Sequence, residues 1–117
     1  MANEMQHKLQ GEHNEQFLNT LGNSSEFIDW KFVVLYYSAL HFGDAYIARK
    51  GKTIINNHDE RRKHYSKKMS SEVFTSYKRL ENYSQIARYH PEMSNVLTDA
   101  EFLKLFSIDF PKLKTLV

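Results

Sequence analysis

The stretch Glu26-Phe27-Ile28-Asp29-Trp30-Lys31-Phe32-Val33-Val34-Leu35-Tyr36-Tyr37-Ser38-Ala39-Leu40-His41-Phe42-Gly43-Asp44-Ala45-Tyr46-Ile47-Ala48-Arg49-Lys50 decides the fold. Phe27, Trp30, Val34, Tyr37, Leu40, Ala45 and Ile47 fall at helical spacing and cover most of the circumference. A helix that is apolar nearly all round is one that partners surround. Ser24 or Ser25 is placed to cap its start, with the Glu26 carboxylate at the positive helix end. Arg49, Lys50 and Gly51 close it with cations and a glycine. Asp29, Lys31, His41 and Asp44 interrupt the apolar run. Each would be costly at membrane depth, so the stretch predicts the buried centre of a helical bundle and no bilayer span.

Outward from that helix, Glu4 to Leu21 reads as a polar helix with a thin apolar row at Met5, Leu9, Phe17 and Leu21, weakened at Gly11 and stopped by Gly22. Downstream, Ile54-Ile55 is expected to tuck against the bundle. Asn57, with Glu60 three residues later, caps a third, highly charged helix through about Lys68. Val73, Tyr77, Leu80, Ser84 and Ala87 give a fourth helix over Ser71 to Tyr89, closed by Pro91. Thr98-Asp99-Ala100-Glu101 is a capping box for a last helix with Phe102, Leu105 and Phe106 on its apolar side; Pro111 should end or kink it and leave Lys112 to Val117 as a final turn or frayed tail. No period-two stretch competes. The expectation is an all-α bundle of four to five helices in a single domain over residues 1–117.

Composition narrows the chemistry. The 117 residues include no Cys, four Gly and two Pro, which excludes a disulfide framework, a thiolate nucleophile and a zinc–thiolate site. Sixteen Lys+Arg against fourteen Asp+Glu leave a formal charge of +2, which permits nucleic-acid binding without predicting it. The polar start, lacking an apolar signal core, predicts a cytoplasmic protein with no membrane association. Eight Phe, seven Tyr and one Trp exceed what a small core needs, so an exposed apolar patch and a homodimer are expected.

Three polar groups demand an explanation. Tyr37, His41, Asp44 and Ala48 line one face of the central helix. Either His41 is a satisfied core histidine beside a surface-facing Asp44, or the two line a cleft in which Asp44 orients His41 or raises its pKa. No metal is expected, since two candidate ligands lack a second pair. On the third helix, His58, Arg61 and His64 repeat an i, i+3 spacing that suits a phosphate or carboxylate; the alternative is a solvated face with Glu60 paired to His64. Arg88 either satisfies the last carbonyls of its helix or reaches across the bundle towards His58 and Arg61. His7, His13 and His90 read as surface residues. No phosphate-cradling Gly-rich loop, G-x-S-x-G or H-E-x-x-H occurs.

The stretch Trp30 to Ala45, with its Tyr36-Tyr37-Ser38-Ala39-Leu40-His41 core, resembles the central helix of HEPN domains. Asn57-His58-Asp59-Glu60-Arg61 is similar to the segment that follows that helix, and Tyr77-x-x-Leu80-x-x-x-Ser84-x-x-Ala87-Arg88-Tyr89 to a later one. The three ordered blocks span Trp30 to Tyr89. The resemblance implies an up-and-down bundle that dimerises and binds RNA or a nucleotide, with no cofactor. It also implies a metal-independent ribonuclease or toxin-type component of a defence or toxin–antitoxin system, accompanied by a nucleotidyltransferase partner protein. Active members carry an Arg, a polar residue and, more than a helical turn later, a His. Here His90 follows Arg88 by two positions and His64 follows Arg61 by three. The signature carries His58, Arg61 and Arg88 as candidate catalytic residues and, with Tyr89, as candidate phosphate ligands; Tyr37, His41, Asp44 and His64 would line the cleft. A non-catalytic dimerisation or partner-binding module is the competing reading.

Overall fold

The computed structural model describes residues 2–51 and 55–117. Its elements are α1 (Glu4–Thr20), α2 (Ile28–Arg49), α3 (His58–Lys68), α4 (Ser71–Tyr89), a 3-10 segment (Pro91–Val96), α5 (Asp99–Lys104), a π-turn (Leu105–Asp109) and α6 (Phe110–Lys114). The chain is all-α, and among the described residues there is no strand. The last helix expected from sequence is divided: α5, the π-turn and α6 follow one another without a break, which gives six α-helices among the described residues against the expected four or five. Pro111 sits in the first turn of α6, directly after the π-turn, and does not end the helical run. Phe110 and Leu113 are buried, so this end is packed rather than frayed.

The central helix is α2, with thirteen buried residues; it packs against α1, α4 and α6 and, less extensively, α3 and α5. His7 lies opposite His41 and Gly11 opposite Ser38, so α1 runs antiparallel to α2. Tyr36 meets Tyr77 and Phe32 meets Tyr83, which makes α4 antiparallel to α2 as well. Phe32, Leu35, Tyr36 and Phe42 of α2 join Tyr77 and Leu80 of α4 and Phe110 and Leu113 of α6 in one core. Gly22 and Gly51 take positive φ just past α1 and α2, as the sequence suggested.

On α1, Met5, Leu9 and Phe17 are more than half exposed, Leu21 packs against the core, and Gly11 and Leu18 face α2. Gly11 is the point of close approach: its carbonyl accepts the Ser38 hydroxyl at 2.6 Å. Three local expectations are corrected. The start of α2 has no side-chain cap, because Ser25 Oγ instead donates to Asp99 Oδ2 at 2.7 Å. Its first residues, Phe27 and Trp30, are exposed, so α2 is not surrounded along its whole length. At Thr98 only half of the capping box forms; its hydroxyl accepts the Glu101 N–H, while the Glu101 carboxylate accepts the Tyr83 hydroxyl. Ile55 packs against the core as expected, and Ile54 lies outside the described residues.

Candidate functional site

The short helix α3 is almost wholly polar, and Tyr65 is its one buried residue. It forms because Asn57 Oδ1 accepts the Glu60 N–H at 2.9 Å and Glu60 Oε2 accepts the Asn56 N–H at 3.0 Å, with acidic groups at its start and Lys67 and Lys68 at its end. Little apolar surface is available to dock it on the bundle. A network of charged and hydroxyl groups does so instead.

At the centre of that network Arg61 grips Asp44 with one edge of its guanidinium: Nε lies 3.0 Å from Oδ1 and Nη2 lies 3.1 Å from Oδ2. The two side chains are 12% and 5% exposed. The Tyr65 hydroxyl sits 2.6 Å from Asp44 Oδ1 and 2.9 Å from the Leu40 carbonyl, sharing its proton between two acceptors. Burial, with the adjacent Asp44 charge, holds the Tyr65 phenol far above its usual range. Burial would lower the Arg61 pKa, but the hydrogen bonds and charge of Asp44 outweigh it and the net shift is upward. Gly43 makes room for the ring, since a Cβ there would lie 2.6 Å from Tyr65 Cζ.

Next to this pair, Arg61 Nη1 lies 3.0 Å from His58 Nδ1. A guanidinium only donates, so Nδ1 is the acceptor and the neutral ring carries its proton on Nε2. Burial, then the charge of Arg61, keeps the His58 pKa below its ordinary value, and Arg88 and Arg62 push the same way. Tyr36 continues the chain: its hydroxyl is 2.9 Å from the Tyr77 hydroxyl, 3.3 Å from His58 Nδ1 and 3.3 Å from Glu81 Oε2. Glu81 is gripped by Arg62, whose Nε lies 2.8 Å from Oε1 and which also pairs with Asp59. Tyr36 and Tyr77 are raised above the usual phenol range, chiefly by burial. Between them these groups fasten α3 to both α2 and α4.

Arg88, at the end of α4, takes a carbonyl of its own helix and crosses to α2, but bonds neither His58 nor Arg61. Its Nε bonds the Ser84 carbonyl at 3.3 Å, and its Nη1 reaches across to the Tyr37 hydroxyl on α2 at 2.9 Å. The guanidinium lies 5.7 Å from the Tyr36 ring centre, 5.5 Å from that of Tyr37 and 5.0 Å from that of Tyr89. Among the described residues it pairs with no carboxylate. The His58 ring is 6.3 Å from Tyr36, so Arg88 and His58 both flank that ring. Ser84, one turn before Arg88, keeps a buried hydroxyl with no partner among the described residues.

Other expectations fall differently. Asp44 is buried, not surface-facing, and Arg61 and Tyr65 claim it. His41 is shifted down, not up: burial and the neighbouring His7 outweigh Asp44. Its Nδ1 lies 3.2 Å from His7 Nδ1, with the rings stacked, so His7 belongs to the α1–α2 contact and is not a free surface group. His64 is half-buried and joins none of these bonds, and Glu60 caps α3 instead of pairing with it. Tyr89 is 65% exposed. Sequence reasoning missed Tyr65, Glu81 and Arg62. The one available signal was the i, i+4 step from Arg61 to Tyr65, which places both on one face of α3.

No family model, curated protein or solved structure matches this chain. Chemistry must therefore be argued from the geometry. Among the described residues no group of three or more His, Asp or Glu side chains is placed to hold a metal ion, and no helix is long and apolar enough to cross a membrane. Arg88, His58 and Tyr37 are half-buried at this site, and Tyr89 is exposed. They offer a fixed cation, a neutral N–H donor and aromatic faces.

Proposed function

We propose that the chain is a HEPN-like helical module that binds the phosphate of RNA or of a nucleotide at the Arg88–His58 face. The observation that carries this reading is Arg88. It is held among three tyrosine rings with no carboxylate among the described residues to neutralise it, an arrangement suited to a phosphate beside stacked bases. His58 adds an Nε2–H donor nearby, oriented by Arg61. Arg61, whose spacing also suits a phosphate, supports the site from behind, with its Nε and Nη2 on Asp44 and its Nη1 on His58. The reading is therefore one of binding; cleavage would need a second group on the transition state, and Arg61 is held in place by Asp44. The toxin–antitoxin setting and a nucleotidyltransferase partner rest on the sequence resemblance alone.

The test is fluorescence anisotropy with a labelled single-stranded RNA in EDTA, followed by a gel of the same samples. Arg88→Gln should weaken binding at least about tenfold, ~1.4 kcal/mol, while the helical circular-dichroism signal persists. Binding that is absent at high protein concentration, or indifferent to Arg88→Gln, refutes the reading. Metal-independent cleavage products would extend it to a ribonuclease.

A second reading is favoured by one observation. Phe17, Trp30, Val34 and Tyr37 line an open groove beside this face, and Phe17 and Trp30 are more than half exposed. We infer that this surface pairs two copies of the chain. Light scattering at tens of micromolar should give a dimer mass that Trp30→Glu halves; a monomer throughout counts against it.

A further inference from the structure

Lys31 is a buried residue of α2 that the network above does not use. It is 6% exposed and makes no hydrogen bond or ion pair among the described residues; its nearest aromatic neighbour is the Phe102 ring, 5.8 Å from its nitrogen. It lies one turn into α2, where the helix dipole opposes a positive charge instead of offsetting it. Its stem is buried, while its nitrogen is not among the fully enclosed polar atoms and so faces the space that Lys31 lines. Lys31 lines a cavity of about 520 Å³ formed where the α1–α2 turn meets α5 and the π-turn. Leu18, Phe102, Leu103 and Phe106 give that cavity apolar walls, and Asn19 and Asn23 add amides.

From this combination we propose that the cavity is a binding site for a small apolar monocarboxylate, whose carboxylate pairs with Lys31 and whose hydrocarbon or aryl body packs on Phe102, Phe106 and Leu18. The volume lies within the range of small-molecule pockets. The charge requirement follows from the unpaired ammonium, and the apolar requirement from the walls. Asp99 fixes the valence. It lines the same cavity, and its carboxylate is held by Ser25 rather than by Lys31. A dianion such as a phosphate monoester would meet that second negative charge, whereas a monoanion bound at Lys31 leaves the Asp99–Ser25 bond in place. The cavity involves none of the Arg88, His58 or Arg61 groups, so it stands independently of the RNA reading.

The probe is 3-phenylpropionate, titrated into the full chain by two-dimensional amide NMR, with 3-phenylpropan-1-ol and phenyl phosphate as comparators. The acid should saturate, with shifts centred on Asn19, Gly22, Asn23 and Leu103, and should bind at least about tenfold more tightly than the alcohol or the phosphate. Lys31→Met keeps the apolar stem and should abolish the preference for acid over alcohol. Leu103→Asp, at a rim position that is 63% exposed, leaves the core untouched and should weaken the acid several-fold. That variant decides the matter if Lys31→Met does not fold. Equal affinity for acid and alcohol, tighter binding of the phosphate, shifts centred elsewhere, indifference to both variants, or no saturation by about 10 mM would each overturn the proposal.

Discussion

Asp44→Ala should be among the most damaging single substitutions in this chain. The carboxylate is 5% exposed and is gripped bidentately by Arg61, itself 12% exposed. It also lies 2.6 Å from the Tyr65 hydroxyl. Truncation leaves a buried guanidinium without its counter-charge, and removing one partner of such a pair costs about 3–5 kcal/mol. Tyr65 adds little to the loss, because its hydroxyl keeps the Leu40 carbonyl as an acceptor. For a chain of this size each kcal/mol moves Tm by roughly 3–6 °C, so the midpoint should fall by roughly 10–25 °C. Urea unfolding followed by far-ultraviolet circular dichroism measures the loss directly. Two comparators make the result interpretable. Glu4→Ala breaks the Arg49 pair, whose side chains are 48% and 38% exposed, and should cost no more than about 1 kcal/mol. The double variant Asp44→Leu/Arg61→Met removes both charges together and should recover most of the stability lost by Asp44→Ala, because no charge is left stranded. If Asp44→Ala unfolds within about 1 kcal/mol of the parent, the pair is not what fastens α3 to α2, and Arg61 becomes available as a ligand after all.

Two further outcomes follow from the same geometry. Gly43→Ala would drive a Cβ into the Tyr65 ring and should destabilise by about 1–3 kcal/mol in the same urea assay; a neutral result would mean that Tyr65 can leave its slot without cost. Stability should also decline on mild acidification. His41 and His58 have folded pKa values below the unfolded value of about 6.5, each lowered first by burial, so the unfolded chain takes up more protons in this window. Their contribution is complete above the unfolded pKa and is lost as pH falls through it towards the folded values. Thermal melts between about pH 7 and pH 5 should show Tm falling, with a shallower fall in His41→Gln; a flat profile in the parent chain would refute the assignment.

The fold was legible where the sequence signals were local. Asn57 and Thr98 cap their helices through backbone N–H groups three residues on, and α4 runs over the expected Ser71–Tyr89. Legibility failed where contact between distant segments decided the matter. The row of Met5, Leu9, Phe17 and Leu21 does not announce which side of α1 meets the bundle; the Gly11–Ser38 contact settles it. No local pattern announces that Ser25 abandons the start of α2 for Asp99, seventy-four residues away. The division of the last helix by a π-turn was equally hidden; there Asp109 is buried and bonded to Ser76 and Arg79 of α4.

The candidate site shows the same boundary more sharply, because Arg61 and Arg88 are equivalent by residue type and signature, and only packing separates them. Arg61 lies four residues before Tyr65 on the face of α3 that meets Asp44, so it is drawn into the interior and bound to Asp44 and His58. Arg88 lies at the last turn of α4, where the facing residues of α2 are Tyr36 and Tyr37, neither of which carries a charge. One arginine thus meets a carboxylate and the other meets rings. The difference traces to α2: Asp44 sits two helical turns beyond Tyr36 and Tyr37, so the two ends of one helix face present opposite demands. Moving the carboxylate should move the roles. In Tyr37→Asp a carboxylate is brought to Arg88, which should cancel the free charge and weaken RNA binding about as much as Arg88→Gln does, with α3 still anchored through Asp44. RNA affinity unchanged by Tyr37→Asp would show that the uncompensated Arg88 charge is not what recruits phosphate.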